Sequence, residues 1–166
     1  KIAQILNKVK KFTNKFKSSK VFIFSHPLIE NKKLFNTNGK KEAKIYNYIG
    51  NLAIKKFNLE NKDIIIKIHP RISHKNFKEI KKHLKFKTVS YFDNTLSETF
   101  LDSKKIKAIY TFGSSIGFYS KYNFGFKNYY VSIKNLDINE KYANILDKKI
   151  SEYNFKTIKI NYYLLK

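Results

Sequence analysis

The 166-residue chain contains no cysteine, only two prolines, a single arginine and few acids. Without cysteine it can form neither disulfides nor thiolate metal sites, as is typical of proteins in a reducing compartment, and we expect a cytoplasmic location. No apolar run approaches the roughly 20 residues that cross a bilayer, and no segment has the pattern of a signal peptide. The sequence therefore predicts no transmembrane segment, and its initial Lys is compatible with an excerpt from a longer protein.

The scarcity of acids leaves a strong positive charge, since 35 basic and 12 acidic residues give a net charge of +23. Such a field attracts polyanions and anionic lipids, so a peripheral position on the inner membrane stays a candidate. The lysines are nevertheless spread over every segment among abundant Asn, Ile, Phe and Tyr, as AT-rich coding would produce. None of the usual nucleic-acid-binding signatures is present, and we do not expect nucleic acid as a partner.

Both prolines follow a histidine at the end of a short apolar run. Residues 21–27 are Val-Phe-Ile-Phe-Ser-His-Pro, and residues 64–71 are Ile-Ile-Ile-Lys-Ile-His-Pro-Arg. Apolar runs this short, bounded by Pro, predict buried strands. Because parallel sheets bind ligands where the carboxyl ends of their strands meet loops, we expect one shared crevice. Its candidate residues are Ser25, His26, Pro27, His69, Pro70 and Arg71, the last of which offers a planar bidentate donor or holds the loop.

Strand and helix patterns alternate along the chain. The predicted strands are 21–24, 63–68, 88–92, 107–112 and 128–133, and the predicted helices are 1–17, 41–57, 73–84, 95–101, 116–122 and 139–151. A β-α-β order requires crossovers and parallel pairing, so the fold class is α/β, a Rossmann-like parallel sheet flanked by helices. We assign residues 1–20 to an amphipathic linker helix and 21–166 to the Rossmann-like domain. Residues 28–40 predict a loop with a turn at Asn38-Gly39, and residues 155–165 have no predicted partner.

The predicted strand 107–112 runs directly into Gly113-Ser114-Ser115, which precedes a predicted helix. A glycine lets backbone approach an anion, serines offer hydroxyl and amide donors, and a helix amino terminus supplies partial positive charge. The pattern predicts a phosphate site, with a simple serine N-cap as the alternative. It is not a Walker loop, since the required Gly-Lys-Ser/Thr is absent.

These motifs, in this order and spacing, resemble a known family. From about Val21 to Ile133 the chain is similar to the carboxy-terminal, nucleotide-binding half of bacterial sialyltransferases of the two-domain GT-B type, especially the lipooligosaccharide and capsule polysialic acid groups. The matching features are Phe24-Ser25-His26-Pro27-Leu28, the His69-Pro70 step and the Ser114-Ser115 pair. The resemblance implies a nucleotide-sugar-binding domain over 21–166 and an amino-terminal GT-B domain outside this chain.

The resemblance also implies roles. The donor is CMP-sialic acid, the acceptor is a surface glycan, and neither a metal nor a cofactor is required. His69 contacts the donor phosphate and is the candidate general acid toward the departing CMP, while Gly113, Ser114 and Ser115 hold the phosphate oxygens. In some members the catalytic base lies in the amino-terminal half. Glu30 is the acid nearest these motifs, and it is either a candidate base or a solvated loop residue.

Two alternatives remain open at this point. Polymerases of the teichoic-acid or capsule type also combine a His-Pro step with a serine pair, use a CDP-linked donor and leave CMP. A non-catalytic basic binding module would instead use the charge to attract polyanions, and its strand-end motifs would be caps and turns. A salt titration separates this module from an enzyme, because binding to a phosphate backbone weakens steeply with salt.

Overall fold

The computed structural model describes residues 19–31, 35, 37–89, 105–112, 116–117, 120–121, 125–134, 140–153 and 155–160. Its strands are β1 (Lys20–Phe24), β2 (Ile64–Lys67), β3 (Lys87–Val89), β4 (Ile106–Thr111), β5 (Asn128–Ser132) and β6 (Lys156–Lys159). Its helices are α1 (Gly39–Phe57), α2 (His74–Lys81) and α3 (Glu140–Ser151), and Asn61–Asp63 forms a 3-10 turn. The predicted helices 1–17 and 95–101 lie outside the described residues. Within the described ranges, no helix combines the length and the apolarity that crossing a bilayer requires.

All six strands form one parallel sheet in the order β3-β2-β1-β4-β5-β6. The predicted α/β, Rossmann-like class is therefore confirmed. β1 lies at the centre, and all of its residues are buried, because a parallel sheet is covered on both faces. The sixth strand was not predicted. Lys156–Lys159 is mostly exposed, so the apolar run that marks a buried strand is absent from it.

The two faces of the sheet carry different cores. On one face, Val21, Ile23 and Ile66 belong to a large cluster that includes residues of α1 and α2. On the other, Phe22 and Ile109 pack in a smaller cluster. Side chains alternate along a strand, so this division follows from the strand geometry. Asp147 of α3 accepts hydrogen bonds from Tyr130 and Ser132 of β5, and Ala143 of the same helix belongs to the large cluster.

Helix α1 begins earlier than its pattern predicted. Asn38 is the N-cap, with Oδ1 accepting the Lys41 N–H at 2.9 Å, so Asn38-Gly39 starts a helix and the predicted turn there is wrong. Asn is among the best N-cap residues as well as a turn former, which is why the dipeptide was ambiguous. Gly50 permits close packing, because a Cβ added there would overlap the Phe86 ring.

Two further differences concern apolar side chains. The predicted loop 28–40 buries Leu28, Ile29 and Phe35 in the core, so its described part is packed against the domain. In α3, the apolar Ile145 is 58% exposed. The helix turns its Ala143 and Ile150 inward instead, and these residues share a face that excludes Ile145.

Candidate functional site

The strand order reverses between β1 and β4, and parallel sheets bind ligands outside the carboxyl ends of their strands at such a switch point. Phe24, the last residue of β1, is in register with Lys67 of β2 and Thr111 of β4. We call the carboxyl ends of β1, β2 and β4 the carboxyl edge. The predicted residues Gly113, Ser114 and Ser115 lie outside the described residues, and they directly follow the buried Phe112 in sequence.

Ser25 joins the ends of β1 and β2. It is 3% exposed, its N–H donates to the Lys67 carbonyl at 3.0 Å, and its Oγ accepts the His69 N–H at 2.7 Å. These two bonds fix the backbone of His69 relative to β1. The two predicted groups of site residues therefore meet at one edge, as expected from the parallel pairing.

His69, Pro70 and Arg71 form a tight turn. The Ile72 N–H donates to the His69 carbonyl at 3.0 Å, with Pro70 at the second position, where its fixed φ favours a turn. The Arg71 N–H donates to Nδ1 of His69 at 3.1 Å. A backbone N–H is always the donor, so Nδ1 must be unprotonated, and the neutral ring carries its proton on Nε2. The turn thereby sets the tautomer of His69.

The rings of His26 and His69 lie 6.3 Å apart. Burial, together with the nearby His69 and the charge of Arg71, lowers the pKa of His26 to about 4. Burial and Arg71 also lower the pKa of His69, which is only half-buried. Both imidazoles are therefore neutral near pH 7. Because the charge of the exposed Arg71 acts on both rings, it would also act on an anion bound beside them.

Residues Ser25–Ile29 form what we call the His26 turn, and two residues that the sequence analysis missed hold it. The Leu28 N–H donates to the His26 carbonyl at 2.8 Å around the buried Pro27. Glu42, which is fully buried, accepts the Ile29 N–H at 2.8 Å through Oε2. The Tyr46 hydroxyl contacts both Glu42 and the His26 backbone. The available signal was an acid, Glu42, on the apolar stripe of α1, four residues before Tyr46.

Glu30 is exposed and accepts hydrogen bonds at the start of α2. Its Oε1 accepts the Ser73 N–H at 2.6 Å and the Asn76 side-chain amide at 2.8 Å. Ser73 is the N-cap of α2, so Glu30 ties the end of the His26 turn to the start of that helix. A carboxylate near a helix amino terminus is favourably placed by the helix dipole. In this geometry Glu30 connects two segments, and its catalytic role stays a prediction.

Comparison with known proteins shows the family of this chain. A family model for alpha-2,8-polysialyltransferase (POLYST) matches residues 1–132 of the 166. No individually curated protein matches the chain. The matched segment includes β1 to β5, both His-Pro steps and the serine pair. Since the match spans most of the chain and every strand that bears a site residue, this protein belongs to the alpha-2,8-polysialyltransferase family and is a sialyltransferase-like glycosyltransferase.

Proposed function

We propose that the carboxyl edge binds CMP-sialic acid and that the protein transfers sialic acid from it to a glycan acceptor. Family membership supplies the reaction class, with a nucleotide-sugar donor and a glycan acceptor. The observation that carries the finer proposal is the turn at His69. Its bond to Nδ1 leaves His69 with an Nε2–H donor, and Arg71 lies two residues on, at the carboxyl edge next to the switch point.

The chemistry needs such a donor. The acceptor oxygen forms a bond to the anomeric carbon of sialic acid while the bond from that carbon to a phosphate oxygen of CMP breaks. The electron pair of the broken bond stays on the phosphate oxygen, so negative charge grows there in the transition state. A preorganised N–H aimed at that oxygen stabilises the charge more in the transition state than in the ground state, and so accelerates the reaction.

The tautomer separates two roles for His69. A general acid near neutral pH is an imidazolium, which gives up a proton and becomes neutral. Protonating His69 would place a proton on Nδ1, which already accepts the Arg71 N–H, and the pKa of His69 is lowered by burial and by Arg71. We therefore propose that His69 donates a hydrogen bond to the leaving phosphate from its neutral form and does not transfer a proton.

The other predicted residues have distinct parts in this proposal. Arg71 supplies positive charge toward the phosphate or the sialic acid carboxylate, and its planar fork suits either group. Ser114 and Ser115, which follow β4, hold the phosphate oxygens. Ser25 acts through its bond to the His69 backbone. That the chain is the carboxy-terminal half of a GT-B enzyme, that no metal takes part, and that the base lies on another domain are further parts of the proposal.

Calorimetry with the four nucleoside monophosphates tests the donor assignment. We expect CMP to bind the protein with measurable heat and UMP, AMP and GMP to bind at least about tenfold more weakly, which corresponds to about 1.4 kcal/mol. The control variant is Glu152→Gln, which changes an exposed charge at the end of α3. His26→Ala is unsuitable as a control, because the His26 ring packs against Phe35. Equal or absent heats for all four nucleotides would overturn the assignment.

CMP is also the group that a CDP-linked donor leaves behind, so a second measurement compares intact donors. We expect CMP-sialic acid to be consumed in the presence of a sialylated acceptor and CDP-glycerol to be left unchanged. The family match favours this outcome, because it is a match to a polysialyltransferase family. Consumption of CDP-glycerol alone would replace sialic acid transfer with a polymerase of the teichoic-acid type.

A further inference from the structure

Tyr46 contacts both loops that follow the central strands. Its hydroxyl oxygen lies 2.8 Å from the His26 carbonyl, 3.2 Å from the His26 nitrogen and 2.6 Å from Oε1 of Glu42. Its ring packs edge-on against Phe112, with centroids 5.8 Å apart, and Phe112 immediately precedes Gly113-Ser114-Ser115 in sequence. The Tyr46 hydroxyl therefore contacts the His26 turn, and the Tyr46 ring packs against the residue that follows β4.

The His26 turn that Tyr46 contacts is bonded to His69. Ser25 is the first residue of this turn, and its Oγ accepts the His69 N–H at 2.7 Å. Glu42 and Tyr46 therefore hold a turn whose first residue is hydrogen-bonded to the backbone of His69.

The number of protons shared by Tyr46 and Glu42 determines the protonation state of the Glu42 carboxyl. Tyr46 has a single hydroxyl proton, yet two acceptor oxygens lie within 2.8 Å of it, on His26 and on Glu42. If the proton goes to the His26 carbonyl, the 2.6 Å contact with Glu42 is a hydrogen bond only when Glu42 donates. Both contacts are therefore satisfied together only by a protonated Glu42, whose other oxygen still accepts the Ile29 N–H.

We propose that Glu42 and Tyr46 are positioning residues that hold the His26 turn, and through Ser25 the backbone of His69, in the geometry that binds the donor, with Glu42 in its protonated form. The identity of the donor rests on the proposed function above. Burial raises the pKa of Glu42 to about 7, with a smaller contribution from the negative charge of Glu30, while the hydrogen bonds with Tyr46 and the Ile29 N–H act to lower it. The ionisable groups that act on Glu42 are thus Tyr46, from its own helix, and Glu30, which directly follows the His26 turn.

Tyr46→Phe is the decisive variant, because it deletes the hydroxyl and keeps the ring that packs on Phe112. Tyr110→Phe is its matched control: Tyr110 is also fully buried, and its hydroxyl has no hydrogen-bond partner among the described residues. We expect the His26 amide to exchange with deuterium about five- to tenfold faster in Tyr46→Phe, with a similar loss of CMP affinity, as removal of one or two hydrogen bonds would give. In Tyr110→Phe both quantities should stay unchanged.

Two substitutions at Glu42, one conservative and one that removes the carboxyl group, test its role in holding the turn. Glu42→Gln mimics the protonated carboxyl, with an amide N–H for Tyr46 and an oxygen for the Ile29 N–H, whereas Glu42→Ala removes both of these contacts. We expect Glu42→Gln to keep wild-type protection of the Ile29 amide and wild-type CMP affinity within about twofold. Glu42→Ala should lose at least about tenfold in both measurements.

The two measurements separate the two proposals. If wild-type protein binds no CMP, the proposed function fails, and amide exchange still decides whether Tyr46 and Glu42 hold the turn. If Tyr46→Phe exchanges its His26 amide as slowly as Tyr110→Phe does, the positioning role is overturned. If Glu42→Gln behaves like Glu42→Ala, the protonated form of Glu42 is overturned, because the carboxyl would then act in its ionised form.

Discussion

The two nitrogens of His69 have separate tasks in this structure, and two substitutions can remove them one at a time. Nδ1 accepts the Arg71 N–H and shapes the turn, while Nε2–H is left for a ligand. In His69→Asn the amide group reaches only the position of Nδ1, so an acceptor for the Arg71 N–H remains and the ligand donor is lost. In His69→Gln the longer side chain returns an N–H near the position of Nε2 and gives up the bond to Arg71.

The expected rates follow from what each variant keeps. Removing one preorganised donor from a developing negative charge slows a reaction by about 10²–10³-fold, so His69→Asn should lose that much in kcat for sialic acid transfer. His69→Gln loses a bond within the turn, which contributes about 1 kcal/mol, and should stay within about tenfold of the wild-type rate. The assay is steady-state transfer from CMP-sialic acid to a sialylated acceptor, with CMP affinity measured by calorimetry on the same preparations.

A general acid would behave differently in two respects. Neither amide can transfer a proton, so both variants would lose about 10²–10⁴-fold, the usual contribution of positioned proton transfer. The ratio of wild-type to His69→Gln rates would also fall as pH rises, because the wild-type enzyme would lose its imidazolium. A neutral hydrogen-bond donor predicts a constant ratio between about pH 6.5 and 8. Equal losses in both variants together with a falling ratio would refute the neutral-donor mechanism.

Two more predictions concern the loop after β4 and the buried carboxyl. Replacing both Ser114 and Ser115 with Ala should weaken CMP binding at least about tenfold while costing only about 1 kcal/mol of stability; the opposite pattern would make the pair a helix cap. Glu42 has a raised pKa in the folded state, about 7 against 4.5, so its contribution to stability is complete below pH 4.5 and is lost as pH rises to about 7. The free energy of unfolding should fall by about 3 kcal/mol over that window in urea titrations, and a decline of the same size in Glu42→Gln would contradict this assignment.

The sequence was informative where local patterns decide the structure. The central strands were predicted because β1 and β2 are short apolar runs that nothing but a buried strand explains, and the meeting of Ser25 with His69 followed from their parallel pairing. β6 was missed because Lys156–Lys159 is an edge segment whose residues are mostly exposed. Its only signature is its pairing with β5, which is not a local property of the sequence.

The polar contacts of the site were much less predictable. Glu42 could be noticed on the apolar stripe of α1, but its partners, the Ile29 N–H and the Tyr46 hydroxyl, are set by how the His26 turn folds back on the helix. Glu30 was considered as a base because it is the acid nearest the motifs. Its attachment to Ser73 depends on a contact 43 residues away in sequence, which no pattern in the chain records.

The two His-Pro steps are alike in sequence and differ in the fold because different groups cover them. Both histidines are half-buried, but His26 packs edge-on against Phe35, its backbone is bonded to the buried Tyr46, and its pKa is lowered to about 4. The ring of His69 accepts a hydrogen bond from the Arg71 N–H within its own turn. A ligand that approaches the carboxyl edge can therefore receive a hydrogen bond from His69 without disturbing the core. The ring of His26 instead packs on Phe35 and its backbone is bonded to Tyr46, so we expect His26 to shape the site while His69 acts on the leaving phosphate.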